Sequence, residues 1–201
     1  MRCFIAIEFD ETTKAFLAKL QDSIRAAGIN GNYTLQDNFH LTMQFLGEID
    51  HKIVNKLESV LAKVALDSKP LVLELGILGK FNKGSRPIIW CGIESYDQLN
   101  SLQMRLMAKL GAELPQFSDQ SGFSPHITLV REAVMSDAKQ TKSLYKWNDE
   151  GRHKSGINFE ELFAAIGKTS ISYLTGGLSL MESIREDGRL KYVQKCFYKF
   201  G

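Results

Sequence analysis

Two stretches of this chain alternate apolar and polar residues and carry the same signature. Asn38-Phe39-His40-Leu41-Thr42-Met43-Gln44-Phe45-Leu46-Gly47 and Ser124-Pro125-His126-Ile127-Thr128-Leu129 each read as a strand with a histidine and a threonine two positions apart. Successive strand side chains point to opposite faces, so His40 shares a face with Thr42, and His126 with Thr128. Leu41, Met43, Ile127 and Leu129 fall on the other face and can anchor each strand in a core. The same alternation puts Phe45 with the core set.

The remaining pattern frames these strands. Cys3 to Glu8 is a predicted strand, and Asp10 a predicted N-cap for a helix from Thr12 to Ala27, with Phe16, Leu17, Leu20 and Ile24 at helical spacing and Gly28 at its end. Asn30-Gly31-Asn32 predicts a turn. Asp50 predicts the cap of a second helix, with Ile53, Leu57, Val60, Leu61 and Val64 on one side. Leu71 to Leu75 and Pro87 to Ile93 read as a hairpin around a loop of Gly79, Asn82, Lys83 and Gly84, with Trp90 in the core. A third helix is predicted from Asp97 to Leu110, stopped by Gly111, and Pro115 to Gly122 as a loop. The stretch 137–158 is the most polar and predicts a surface excursion. A short helix from Glu160 to Ile166 follows. Ser170 to Met181 reads as one or two strands broken at Gly176-Gly177, and Asp187-Gly188 as a hairpin turn before a last strand, Leu190 to Phe197.

Strands mixed with helices and hairpins predict an α+β fold with antiparallel pairing rather than a doubly wound parallel sheet. The two histidine strands lie close to half the chain length apart, and no linker divides the sequence. This predicts one unit over 1–201 made of two similar lobes facing each other.

Composition narrows the classes. The hydrophobic fraction is 44%, the charged fraction 24% and the net charge +2, values ordinary for a globular protein and without a broad basic footprint for duplex nucleic acid. No apolar run is long enough to cross a bilayer, and the apolar start of the chain reaches Glu8 and Asp10 too soon for a signal peptide. A cytoplasmic monomer is expected. Cys3, Cys91 and Cys196 are far apart and sit among apolar neighbours, as buried free thiols would. His51 and His153 are expected at the surface. There is no Gly-rich phosphate loop and no visible carboxylate cluster for a metal, so neither metal nor cofactor is expected.

One His-x-Thr pair on a strand is usually structural. Two pairs suggest chemistry, because cleaving a phosphodiester needs a base on one side of phosphorus and an acid on the other. Histidine, with an ordinary pKa of about 6.5, can serve as either. Threonine hydroxyls can donate to the phosphate oxygens where charge develops.

The segments His40-Leu41-Thr42-Met43-Gln44-Phe45-Leu46-Gly47-Glu48 and Phe123-Ser124-Pro125-His126-Ile127-Thr128-Leu129-Val130-Arg131 resemble the paired motifs of the 2H phosphoesterase superfamily. Within it the chain is most similar to the RNA 2′,3′-cyclic phosphodiesterase branch, also called the 2′-5′ RNA ligase family. Leu78-Gly79-Lys80-Phe81, Arg86-Pro87-Ile88-Ile89-Trp90 and Leu180-Met181-Glu182-Ser183, with Gly188 and Tyr192, add to the likeness. The resemblance implies a bilobal fold with both His-x-Thr strands lining a central cleft. It also implies metal-free hydrolysis of a 2′,3′-cyclic phosphate on RNA, or on a small cyclic nucleotide, to a 2′-phosphomonoester. His40 matches the acid that protonates the departing 3′ oxygen, His126 the base that activates water, and Thr42 and Thr128 the phosphate-oxygen donors. Arg131 matches a phosphate-holding arginine. A regular strand would aim Arg131 away from His126, so either the strand ends or bulges before it, or Arg131 is structural.

The segment Lys139 to Asn158 is longer and more basic than the family pattern. It reads as a solvated loop, or as a flap contacting RNA through Tyr145 and Trp147. Deleting Lys142 to Lys154 would then weaken RNA ends more than a small cyclic nucleotide. Two other functions are compatible with the sequence: a non-catalytic nucleotide-binding module, and a phosphodiesterase for another small cyclic phosphate or a 2′-5′ oligonucleotide.

Overall fold

A computed structural model describes residues 1–82, 86–94, 96–117, 122–135, 159–166 and 169–201. The polar excursion with Tyr145, Trp147 and His153, and the loop residue Lys83, lie outside them. Nine strands form two antiparallel sheets among the described residues. The first contains β1 (Arg2–Glu8), β3 (His40–Glu48), β8 (Gly177–Glu186) and β9 (Arg189–Lys199), in the order β3-β1-β8-β9. The second contains β2 (Ile29–Tyr33), β4 (Val72–Phe81), β5 (Ile88–Ile93), β6 (His126–Met135) and β7 (Ile171–Leu174), in the order β2-β6-β5-β4-β7. The bilobal α+β architecture read from the sequence is therefore present, with one histidine strand in each sheet.

Helices cover the sheets. Helix α1 (Glu11–Ala26) starts where the Asp10 carboxylate accepts from the Thr13 N–H, and it packs on β2, β6 and β7. Helix α2 (Val54–Leu66) lies on β8 and β9 and against α3 (Asp97–Glu113). Helix α4 (Phe159–Ile166) contacts α1 and β4. Core residues come from all of these layers: Ile5 and Ile7 of β1, Leu41 and Met43 of β3, Leu57 and Leu61 of α2, Leu73 and Leu75 of β4, Leu102 and Leu106 of α3, and Ile127 and Leu129 of β6 form one continuous buried cluster. The alternate residues of the histidine strands are left facing away from it. All three cysteines are free; Cys3 and Cys91 are buried and Cys196 half-buried. No helix among the described residues is long and apolar enough to cross a membrane.

Local readings fail where a tertiary partner overrides the local signal. Asn30-Gly31-Asn32 is no turn but the middle of edge strand β2. A Cβ on Gly31 would lie 2.7 Å from the Val130 side chain and 2.8 Å from the Arg131 carbonyl, so glycine serves close approach to β6. Gly111 does not stop α3, which runs on to Glu113. That extra turn carries Glu113, which accepts from Lys63 of α2 across the helix pair. Strand β4 extends through Gly79, and Asp50 caps a short 3-10 turn, His51–Ile53, that feeds α2. Ser170 to Met181 resolves into two strands in different sheets, β7 and β8.

Candidate active site

Strands β3 and β6 pack against each other, which brings the two sheets together along their histidine strands. His40 is the cross-strand partner of Glu8, and Thr42 of Ala6, on the face of the first sheet that looks away from the core. His126 and Thr128 pair with Gly92 and Trp90 on the corresponding face of the second sheet.

Each imidazole is fixed by the same device. The Nδ1–H of His40 donates to the carbonyl of Asn38 at 2.7 Å, and that of His126 to the carbonyl of Ser124 at 2.8 Å. A carbonyl can only accept, so the proton of each neutral ring sits on Nδ1 and Nε2 carries the lone pair. Nε2 of His40 meets the Thr42 hydroxyl at 3.1 Å. Aromatic rings hold both imidazoles. His40 lies between Phe4 (4.7 Å between centroids) and the edge of Tyr192 (4.9 Å). His126 meets Phe81 edge-on at 4.8 Å, with Trp90 at 6.5 Å.

Burial lowers the pKa of both histidines from the ordinary 6.5, to about 4 for His40. The hydrogen bonds to the Asn38 and Ser124 carbonyls oppose that shift, and the Arg131 guanidinium adds to it in both cases. Glu8 favours the charged form of His40, and His126 disfavours it. The two imidazoles and Arg131 thus lie within electrostatic reach of one another.

Arg131 reaches the cleft because β6 bulges. Thr128 pairs with Trp90 and Val130 with Ile89, so Leu129 is the extra residue. Leu129 and Val130 are both fully buried, and Arg131 emerges exposed on the face of His126 and Thr128. The carbonyl of Leu129 accepts from the buried Gln21 side chain at 2.8 Å and from the Thr34 N–H at 3.0 Å, which satisfies the displaced backbone. Of the alternatives open for Arg131 in the sequence, the bulge is the one present.

A second parity change corrects the expectation for Phe45. Against β1, β3 carries extra residues at Met43 and Leu46, and Phe45 pairs with Phe4. Phe45 is 69% exposed, on the cleft face rather than in the core, with its ring 6.3 Å from Phe4. Trp90 is likewise not a core residue. It is half-buried, stacked near Phe81 at 5.3 Å and laid across Gly79 and Gly92. A Cβ on Gly79 would overlap the Trp90 ring. Gly79→Ala is expected to cost about 1–3 kcal/mol by overpacking and to shift the His126 ring resonances; a melting curve and an NMR spectrum read both.

The alternation pattern also passes over several neighbours. The carboxylate of Glu8 accepts from Ser179 and Gln194 beside His40. Asn38 bonds β9, and Tyr192 closes over His40. Arg86 and His51 are exposed. Among the described residues, no group of three or more His, Cys, Asp or Glu side chains is gathered as a metal site would need.

Comparison with known proteins bears on the same residues. The family model described as the 2′-5′ RNA ligase superfamily matches residues 10–154 and includes both His-x-Thr strands. The chain belongs to this superfamily. A Thermotoga maritima protein named RNA 2′,3′-cyclic phosphodiesterase is 30% identical over 140 residues, covering 68% of this chain and 73% of the relative. A Methanocaldococcus jannaschii protein of the same name is 28% identical over 190 residues, 92% of this chain and 99% of that one. Among solved structures, a Thermus thermophilus protein superposes over 100% of this chain and 98% of its own at a TM-score of 0.72 and 19% identity. Escherichia coli LigT complexed with 3′-AMP does so over 99% and 97% at 0.67 and 23%. These two likenesses concern the fold.

Proposed function

We propose that this superfamily member hydrolyses 2′,3′-cyclic phosphate ends of RNA to 2′-phosphomonoesters, by a two-histidine mechanism that needs no metal. The observation that carries the reading is the pair of Nε2 atoms on opposite strands of one cleft, each freed by an Nδ1–H bond to a carbonyl two residues back. The names of the Thermotoga and Methanocaldococcus relatives point to the same substrate. Phosphate sits between the imidazoles. Following the family resemblance, His126 removes a proton from water as it attacks phosphorus, and the bond to O3′ breaks on the opposite side. His40, protonated, gives its proton to O3′, leaving a 3′-hydroxyl and a 2′-phosphate. Thr42, Thr128 and Arg131 donate to the non-bridging oxygens.

The exposed Phe45 ring supports a nucleotide substrate, since a base can stack on it. Run backwards, the site would join a cyclic phosphate end to a 5′-hydroxyl with a 2′-5′ linkage; in water, hydrolysis dominates. Residues 1–201 act as one unit on this reading, as a cytoplasmic monomer. A purely nucleotide-binding role would have no use for two imidazoles poised this way.

The test is incubation with an RNA ending in a 2′,3′-cyclic phosphate and with a 2′,3′-cyclic mononucleotide, both in EDTA. Mass and phosphate-specific digestion are expected to show a 2′-monophosphate at undiminished rate. A 3′-monophosphate, or loss of turnover in EDTA that added metal restores, overturns the reading.

A further inference from the structure

We infer that Asn38 is a positioning residue: its side chain closes the curled first sheet onto itself and so sets the carbonyl and the aromatic wall that orient His40. This rests on the proposed use of His40, but its structural content can be tested apart from turnover.

Strands β3 and β9 are opposite edges of the first sheet, with β1 and β8 between them. Asn38, at the end of the short turn Gln36–Asn38 and just before β3, nevertheless reaches β9. Its Nδ2 donates to the Leu190 carbonyl at 2.8 Å, and its Oδ1 accepts from the Tyr192 N–H at 3.1 Å. The amide thus makes the donor-and-acceptor pair that a neighbouring strand residue would make. Asn38 itself is buried, at 6% exposure, and both bonds are part-buried, so its amide loses hydration that these two bonds replace.

The clamp bears on His40 twice. The backbone carbonyl of the clamped residue receives the His40 Nδ1–H at 2.7 Å. The strand it grips carries Tyr192, whose ring lies roughly perpendicular to the imidazole at 4.9 Å between centroids and packs on Phe4 at the same separation. The groups bearing on His40 electrostatically are Glu8 from β1 and Arg131 and His126 from β6. The Asn38 bonds run to the backbone of β9 and involve none of these groups. At His126 the carbonyl comes from Ser124, a residue with no amide side chain to repeat the clamp. Only an amide fits position 38: aspartate keeps the acceptor toward Tyr192 but turns a second oxygen on the Leu190 carbonyl, and alanine loses both bonds.

Asn38→Ala is expected to lower kcat by ten- to a hundredfold, the scale of a small misplacement of a reacting group, with KM within about twofold. By nitrogen NMR the His40 ring should lose its pure Nδ1–H tautomer, while the His126 signals stay fixed. Asn38→Asp should fall between alanine and wild type on both readouts. Lower melting temperature with unchanged kcat and His40 signals would make Asn38 a structural clamp only and overturn the inference. If neither variant folds, the wild type decides: a slowly exchanging His40 Nδ1–H at pH 7 is required, and an Nε2–H tautomer overturns it. Absence of turnover in wild type with the His40 tautomer intact would instead remove the proposed reaction and leave the positioning geometry standing.

Discussion

Alanine at His40 or at His126 is expected to cut kcat/KM for a 2′,3′-cyclic phosphate by about 10²–10⁴-fold, the usual contribution of a positioned acid or base. That corresponds to about 3–5 kcal/mol of transition-state stabilisation. The two groups act on one proton-transfer sequence, so the double variant should be little worse than the poorer single variant. Both rings line the cleft and are half-buried, while the strands that carry them are anchored by Leu41, Met43, Ile127 and Leu129 on the core side, so both variants should fold. A change of leaving group separates the roles. A nitrophenyl phosphodiester releases an oxygen that needs no proton, so the variant lacking the acid should recover most of its activity on it, and the variant lacking the base should not. If His40 is the acid, His40→Ala is the one that recovers; recovery in His126→Ala exchanges the assignments. Full activity on the cyclic phosphate in either variant removes the two-histidine mechanism.

The pair of catalytic candidates was legible because strand alternation depends on local geometry alone. His40 with Thr42, and His126 with Thr128, share a face wherever the strand is regular, and both strands begin regularly. Parity past a bulge is a different matter. Arg131 and Phe45 both lie beyond an extra residue. The bulge before Arg131 is held in part by Gln21, which is 108 residues from its acceptor. Nothing near Leu129 announces that partner. The same holds for Asn38, whose acceptor and donor on β9 lie 152 and 154 residues away. An asparagine before a strand reads locally as a turn residue. The cap of α1 fared better, because Asp10 acts on a donor three residues away; Asp50 also acts locally, but on the 3-10 turn ahead of α2 rather than on α2 itself. The aromatic walls around the two imidazoles escaped detection for the opposite reason. Phe4, Phe81, Trp90 and Tyr192 look like ordinary strand residues, and only sheet order reveals that they converge on histidines.

The dependence of rate on pH should be acid-shifted, and differently for free and bound enzyme. A mechanism with one protonated and one neutral imidazole gives a bell in kcat/KM whose limbs are the free-enzyme pKa values. Burial lowers both, His40 to about 4 and His126 below 6.5. The optimum is therefore expected below pH 6.5, with rate falling about tenfold per pH unit above the upper limb. Because the rings interact with each other, the limbs belong to the pair rather than to either residue. Bound substrate places a phosphodiester anion between the rings, which favours both charged forms. The kcat profile should accordingly sit at higher pH than the kcat/KM profile. On the proposed mechanism, this displacement is what would allow His40, neutral in the empty cleft, to act as the acid in the complex. The same shift touches stability. A histidine whose folded pKa is depressed leaves the unfolded state binding more protons between about 4 and 6.5, so stability is full above 6.5 and is lost as pH falls through that window, by up to roughly 3 kcal/mol for His40. Circular dichroism across that range separates an acid limb due to titration from one due to unfolding. A kcat/KM optimum above pH 7, or coincident kcat and kcat/KM profiles, would contradict the arrangement of two buried imidazoles charged only by their substrate.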